Sequence, residues 1–107
     1  MEFSIINKEQ DEMINVILKE LCEVFEHEDK VQNVRVHSTQ IKETKCIFVE
    51  ELCFTLATGI GINFIYDMLK GILKKYKNSQ ELKRNTKITI KEGEKIITVE
   101  VDEVMSK

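Results

Sequence analysis

The stretch that most constrains this chain runs from Ile47 to Lys77, IFVEELCFTLATGIGINFIYDMLKGILKKYK. It is apolar over most of its length, carries small residues at its centre (Ala57, Gly59, Gly61) and ends in lysines. Such a segment must be covered, and a chain of 107 residues has few ways to cover it. As one helix it would span about 46 Å at 1.5 Å per residue, whereas a domain of this size has a radius of gyration near 13 Å by the usual scaling, roughly. Gly59 and Gly61 would each cost about 1 kcal/mol inside a helix relative to alanine. Both arguments favour a break at TGIG, with helices near 47–58 and 62–77. The alternative is a single helix whose small residues allow a close crossing with a neighbour. Lys45 to Val49 suits a strand as well as a helix start, because short apolar runs do not separate the two.

The remaining segments supply the cover. Phe3 to Ile6 suits a first strand. Asn7 offers a helix N-cap with Gln10 three residues on, and KEQDEMINVILKELCEVFEHE follows with Met13, Ile14, Ile17, Leu18, Leu21, Val24 and Phe25 on one helical face. Val31 to His37 alternates as a half-buried strand, Val34 and Val36 against Asn33, Arg35 and His37; STQIKETK after it reads as a loop or weak edge. Beyond the break, Ile62, Ile65, Tyr66, Leu69, Ile72, Leu73 and Tyr76 form an apolar helical stripe. KNSQELKRNTK is a polar connector. Lys87 to Lys91 and Lys95 to Val101 then read as a hairpin, Gly93 supplying the positive φ of its turn. Ile88, Ile90, Ile97, Val99 and Val101 are expected inward, Thr89, Thr98 and Glu100 outward, and VMSK frayed. The expected fold is α+β. It is a two-layer sandwich in one domain, 1–107, whose small mixed four-stranded sheet is covered on one face by two to three helices and ends in a β-hairpin.

Composition narrows the class. Apolar residues make up 42% and charged residues 33%, a globular balance. MEFSIINKEQDEM turns polar too early for an export signal, and LCFTLATGIGINFIY is shorter than the roughly 20 apolar residues of a membrane-crossing helix. A cytoplasmic address is expected and membrane contact is not. Cys22, Cys46 and Cys53 show no CxxC spacing, and only His27 and His37 stand ready to join them. No metal and no cofactor is expected, and the thiols read as small hydrophobes.

No segment carries a complete reaction centre. GIG at Gly59 to Gly61 lacks the third glycine of a phosphate loop, Phe64 standing there instead, so these residues mark a helix break or a close helix contact. Lys70, Lys74, Lys75, Lys77, Lys83 and Arg84, with Lys87 and Lys91, form a basic tract opposed only by Glu81, while residues 1–29 are strongly acidic. Solvated faces and helix-dipole matching account for most of this segregation; the tract is also the candidate contact for a protein partner or anion. Tyr76 is the one aromatic within it and the net charge is −3, so nucleic acid is not the expected partner. His27 and His37 neighbour no nucleophile motif, and catalysis by a thiol would need an exposed thiolate and an orienting group.

The order of these elements resembles the effector-associated constant-component domains of bacterial conflict systems. The resemblance runs over the initial strand, the helix Lys8 to His27, VQNVRV, the small-residue-rich helix ending LKKYK, and KITIKEGEKIITVEV. It implies a non-catalytic module coupling sensors to effectors; without an attached effector domain, a free-standing adaptor or regulator is expected. The leading expectation is therefore a non-enzymatic protein-interaction domain, acting through a protein partner or self-association. The alternative is a small-ligand or nucleotide sensor using the basic 70–91 tract.

Overall fold

The computed structural model describes residues 2–7, 11–41, 46–76, 78 and 86–106. Five strands and three helices follow in the order β1 (Glu2–Ile6), α1 (Glu12–Glu26), β2 (Val31–Ile41), β3 (Cys46–Leu56), α2 (Ile62–Lys75), β4 (Lys87–Glu92), β5 (Lys95–Glu100) and α3 (Val101–Ser106). The strands form one sheet in the order β2-β3-β1-β4-β5, every neighbouring pair antiparallel. The α+β class thus holds, but the sheet has five strands rather than four and is not mixed. β1 and β2 do point the same way, yet β3 lies between them, just as β1 lies between β3 and β4. This double split β-α-β arrangement is the ferredoxin-like topology, with β5 added at one edge.

The additional strand is β3, where a helix was expected over 47–58. Its side chains obscure the period of two that marks a strand. Leu52, Phe54 and Leu56 face the helices, but Cys53 on the opposite face is also buried, as are the consecutive Phe48 and Val49. Two register shifts explain the pattern. An extra residue enters β2 between Gln32 and Arg35, where Asn33 takes φ 54°. A second extra residue, Glu50, enters β3 opposite the step from His37 to Ser38. The two β-bulges cancel, so the register beyond them is restored. The Glu50 bulge is held from two sides: the Asn15 side chain of α1 accepts the Val49 N–H at 2.7 Å, and the Asn7 N–H donates to the Glu50 carbonyl at 2.9 Å.

Asn7 is not the helix cap. Asp11 caps α1, its carboxylate accepting the N–H groups of Met13 and Ile14, and the buried Asn7 clasps Asp11 through two further hydrogen bonds. A carboxylate at this position also meets the positive end of the helix dipole. One core joins all three helices to the same face of the sheet. At its centre Phe54 meets Phe25 edge-on at 4.7 Å and stacks on Phe3 at 5.7 Å, arrangements that add to the burial of the rings themselves. Val24, expected inside, is partly exposed. Residues 101–106 are not frayed: Val101 and Val104 of α3 are buried, a face too short to register as a helical period. Among the described residues, no helix is long and apolar enough to cross a membrane.

Candidate functional site

Among the described residues, the sheet has one face under helices and one without them, and the open face gathers the polar chemistry. Register places His37 of β2 directly opposite Glu51 of β3, and Cys53 lies two residues along β3 on the same face. The His37 Nε2 and Glu51 Oε1 atoms are 3.8 Å apart, and one ligand-capable atom from each of the three residues lies within 4.8 Å of the others. Cys53 is only 4% exposed although it belongs to no part of the helix-side core. Its neighbours cover it: Ser4 of β1 donates its hydroxyl to Sγ at 3.4 Å, and Arg35 stands opposite on β2, ion-paired with Glu2.

Burial pushes the Cys53 thiol up, the Ser4 hydrogen bond pulls it back, and the Glu51 carboxylate raises it again. Burial, followed by Glu26 and Glu23, also raises Cys22. Both described thiols therefore hold their protons at neutral pH, the opposite of an activated nucleophile. Cys22 packs partly against the core, as expected; Cys53 does not.

The basic tract divides. Lys77, Lys83 and Arg84 lie outside the described residues. Lys70 is half-buried, and Lys74 and Lys75 occupy the last turn of α2, where cations favour the helix dipole. Lys75 pairs with Glu20 of α1 at 3.4 Å, and the Tyr76 hydroxyl donates to the same carboxylate. The acidic first third and this basic helix end meet inside the chain.

Ala57, Gly59 and Gly61 lie in the turn from β3 to α2, not between two helices. Gly59 has φ 88°, which favours glycine, and Gly61 precedes the first helical residue. A β-carbon at Gly59 or Gly61 would touch nothing within 4 Å, so these glycines do not serve close packing. Beside the turn lies an open cleft of about 360 Å³, with Phe3, Leu56, Ile60 and Glu92 among its walls. Among the described residues its lining holds a carboxylate, Glu92, and no lysine or arginine.

The last feature is the edge of β5, which pairs on one side only among the described residues. Gly93 opens the hairpin turn with φ 62° and Glu94 has no positive φ, the signs of a type II′ turn. Val101 donates its N–H to the Thr86 carbonyl at 2.9 Å. Antiparallel alternation then puts Val99, Ile97 and Lys95 in hydrogen-bonded pairs with β4 and turns the backbone groups of Ile96, Thr98 and Glu100 outward. Register with β4 is unbroken, and Ile96 is 62% exposed.

The residue pattern assigns the hairpin and its edge but misses the His37–Glu51–Cys53 group, because it favours a helix near 47–58 where β3 runs. The signal was present in Glu-x-Cys: in a strand, residues two apart share a face. Comparison of the chain with protein-family models, curated proteins and solved structures gives no match.

Proposed function

We propose that this α+β domain is a non-enzymatic interaction module, an adaptor or regulator whose β5 edge accepts an extended strand from a protein partner or a second copy of itself. The observation that carries the reading is that edge: six residues in regular register, three outward backbone positions at Ile96, Thr98 and Glu100, and an exposed isoleucine among them. An unpaired, regular edge is a template for strand addition, with main-chain hydrogen bonds supplying affinity. The protonated thiols and the charges closed between α1 and α2 support a role without chemistry of their own. A coupling role between sensor and effector in a bacterial conflict or defence pathway fits this mode of action. Nothing about the Gly59–Gly61 cleft favours the nucleotide-sensor alternative.

Thr98→Pro is the direct test, because it removes an outward N–H while sparing the ladder to β4. Sedimentation over a concentration series and pull-down at low and moderate salt should show association by the unaltered chain and its loss in the variant. Amide exchange should show Ile96, Thr98 and Glu100 gaining protection on association. A chain that stays monomeric and captures no specific protein, or a Thr98→Pro variant that associates as before, refutes the reading.

A further inference from the structure

We propose that His37, Glu51 and Cys53 form a binding site for a divalent cation of the zinc class on the open face of the sheet. The site is separate from the β5 edge and does not depend on the interaction reading.

Three observations converge. The donors are one imidazole nitrogen, one carboxylate oxygen and one sulfur, whose potential ligand atoms already lie within 4.8 Å of one another. Tetrahedral zinc with bonds of about 2.0–2.3 Å needs ligand atoms roughly 3.3–3.7 Å apart; His37 Nε2 and Glu51 Oε1, at 3.8 Å, nearly meet that spacing. The remaining contraction is of the order of an ångström, within reach of rotation of the His37 and Glu51 side chains, both partly exposed. The donors are also held by sheet register rather than by a loop: His37 and Glu51 are a cross-strand pair, and Cys53 is two residues along on the same face. Finally, the surroundings match. Ser4 already donates to the sulfur, the kind of outer hydrogen bond that orients a metal ligand. Arg35, the register partner of Cys53, is engaged by Glu2.

Thiolate plus carboxylate balances a dication, and imidazole adds no charge. On binding, the Cys53 proton passes to solvent and sulfur takes its place as a metal donor. Three protein ligands leave a fourth tetrahedral position for water or for a donor from outside. The sulfur selects against magnesium and calcium, which prefer oxygen-only shells.

The test is a cobalt titration of the reduced, chelator-stripped full chain, followed by zinc competition. The expected result is one equivalent of Co²⁺ with a thiolate-to-cobalt charge-transfer band and tetrahedral ligand-field absorption, both erased by Zn²⁺ and neither produced by Mg²⁺. Cys53→Ser should abolish the charge-transfer band. His37→Ala, at an exposed position and therefore without risk to folding, should weaken binding by roughly tenfold or more, the scale on which even the outer partners of a metal act. Cys22→Ser and Cys46→Ser should change neither result. Absence of the band with cobalt in excess overturns the proposal. So does a band that persists in Cys53→Ser or vanishes in Cys22→Ser or Cys46→Ser. If Cys53→Ser does not fold, His37→Ala decides alone: unchanged affinity refutes the site, and the stated weakening upholds it.

Discussion

The two edges of the sheet are built in opposite ways. β2 has eleven residues, carries a bulge at Asn33 in the left-handed region, and opposes a second bulge at Glu50. β5 has six residues, pairs with β4 without a shift, and turns Ile96 to solvent. Bulges and charged side chains such as Arg35 are the devices by which edge strands avoid unwanted partners. One edge carries an irregularity that hinders strand addition and the other pairs without one, a difference of backbone geometry rather than of hydrophobicity. Val36 on the bulged edge is 40% exposed, so apolar surface is present on both.

The largest test concerns how firmly each edge is anchored. Phe54, next to β2, is fully buried between Phe3 and Phe25. Phe54→Ala should cost about 3–5 kcal/mol in denaturant unfolding. Val99, on β5 itself, loses two methyl groups on change to alanine, so Val99→Ala should cost only about 2 kcal/mol. Equal costs would show that the regular edge is anchored as firmly as the bulged one, and would remove half of the contrast.

Next is the bulge in β2. Asn33 at φ 54° donates its side-chain amide to Thr55 at 3.0 Å. Asn33→Val places a β-branched residue in the left-handed region and deletes that bond, a cost of about 2–3 kcal/mol. Asn33→Gly keeps the backbone and should cost less than about 1 kcal/mol. A valine variant as stable as the parent would mean that β2 can straighten cheaply, and β2 would then be as sticky an edge as β5. The Glu50 bulge is tested through its brace: Asn15→Ala strands the buried Val49 N–H and should cost about 1–2 kcal/mol, read as a shifted midpoint with unchanged slope.

These same irregularities decided what could be read in the residues. α1 and the β4–β5 hairpin have one buried and one wet face, so their periods show plainly. In β3 the period is broken at Glu50 and blurred by Cys53, a buried side chain on the wrong face, and IFVEELCFTL then reads as readily as helix. The candidate metal group was lost with it. His37 and Glu51 become neighbours only when β2 pairs with β3, and their register is set by the extra residue in β2 between Gln32 and Arg35 together with the extra Glu50 in β3. Spacing along the chain carries no trace of that pairing, only of Glu51 and Cys53 sharing a strand face.

The smallest effect checks that charge does not create the asymmetry. The Tyr76 hydroxyl donates to Glu20, and that bond, then burial, then the carboxylate charge raise the phenol above its usual range. A raised folded value means the bond stabilises the fold at every pH below the unfolded phenol's titration near 10, approximately, and that this contribution fades as pH climbs through the higher folded value. The bond is only partly buried, so Tyr76→Phe should cost only on the order of 0.5 kcal/mol at neutral pH. The parent's advantage over the variant should be flat through neutral pH and disappear in strong alkali. Association through β5 should be unchanged in Tyr76→Phe across the same range. If it were to weaken together with the Tyr76–Glu20 bond, the helix layer would be steering the β5 edge, and the contrast between the two edges could not be assigned to backbone geometry alone.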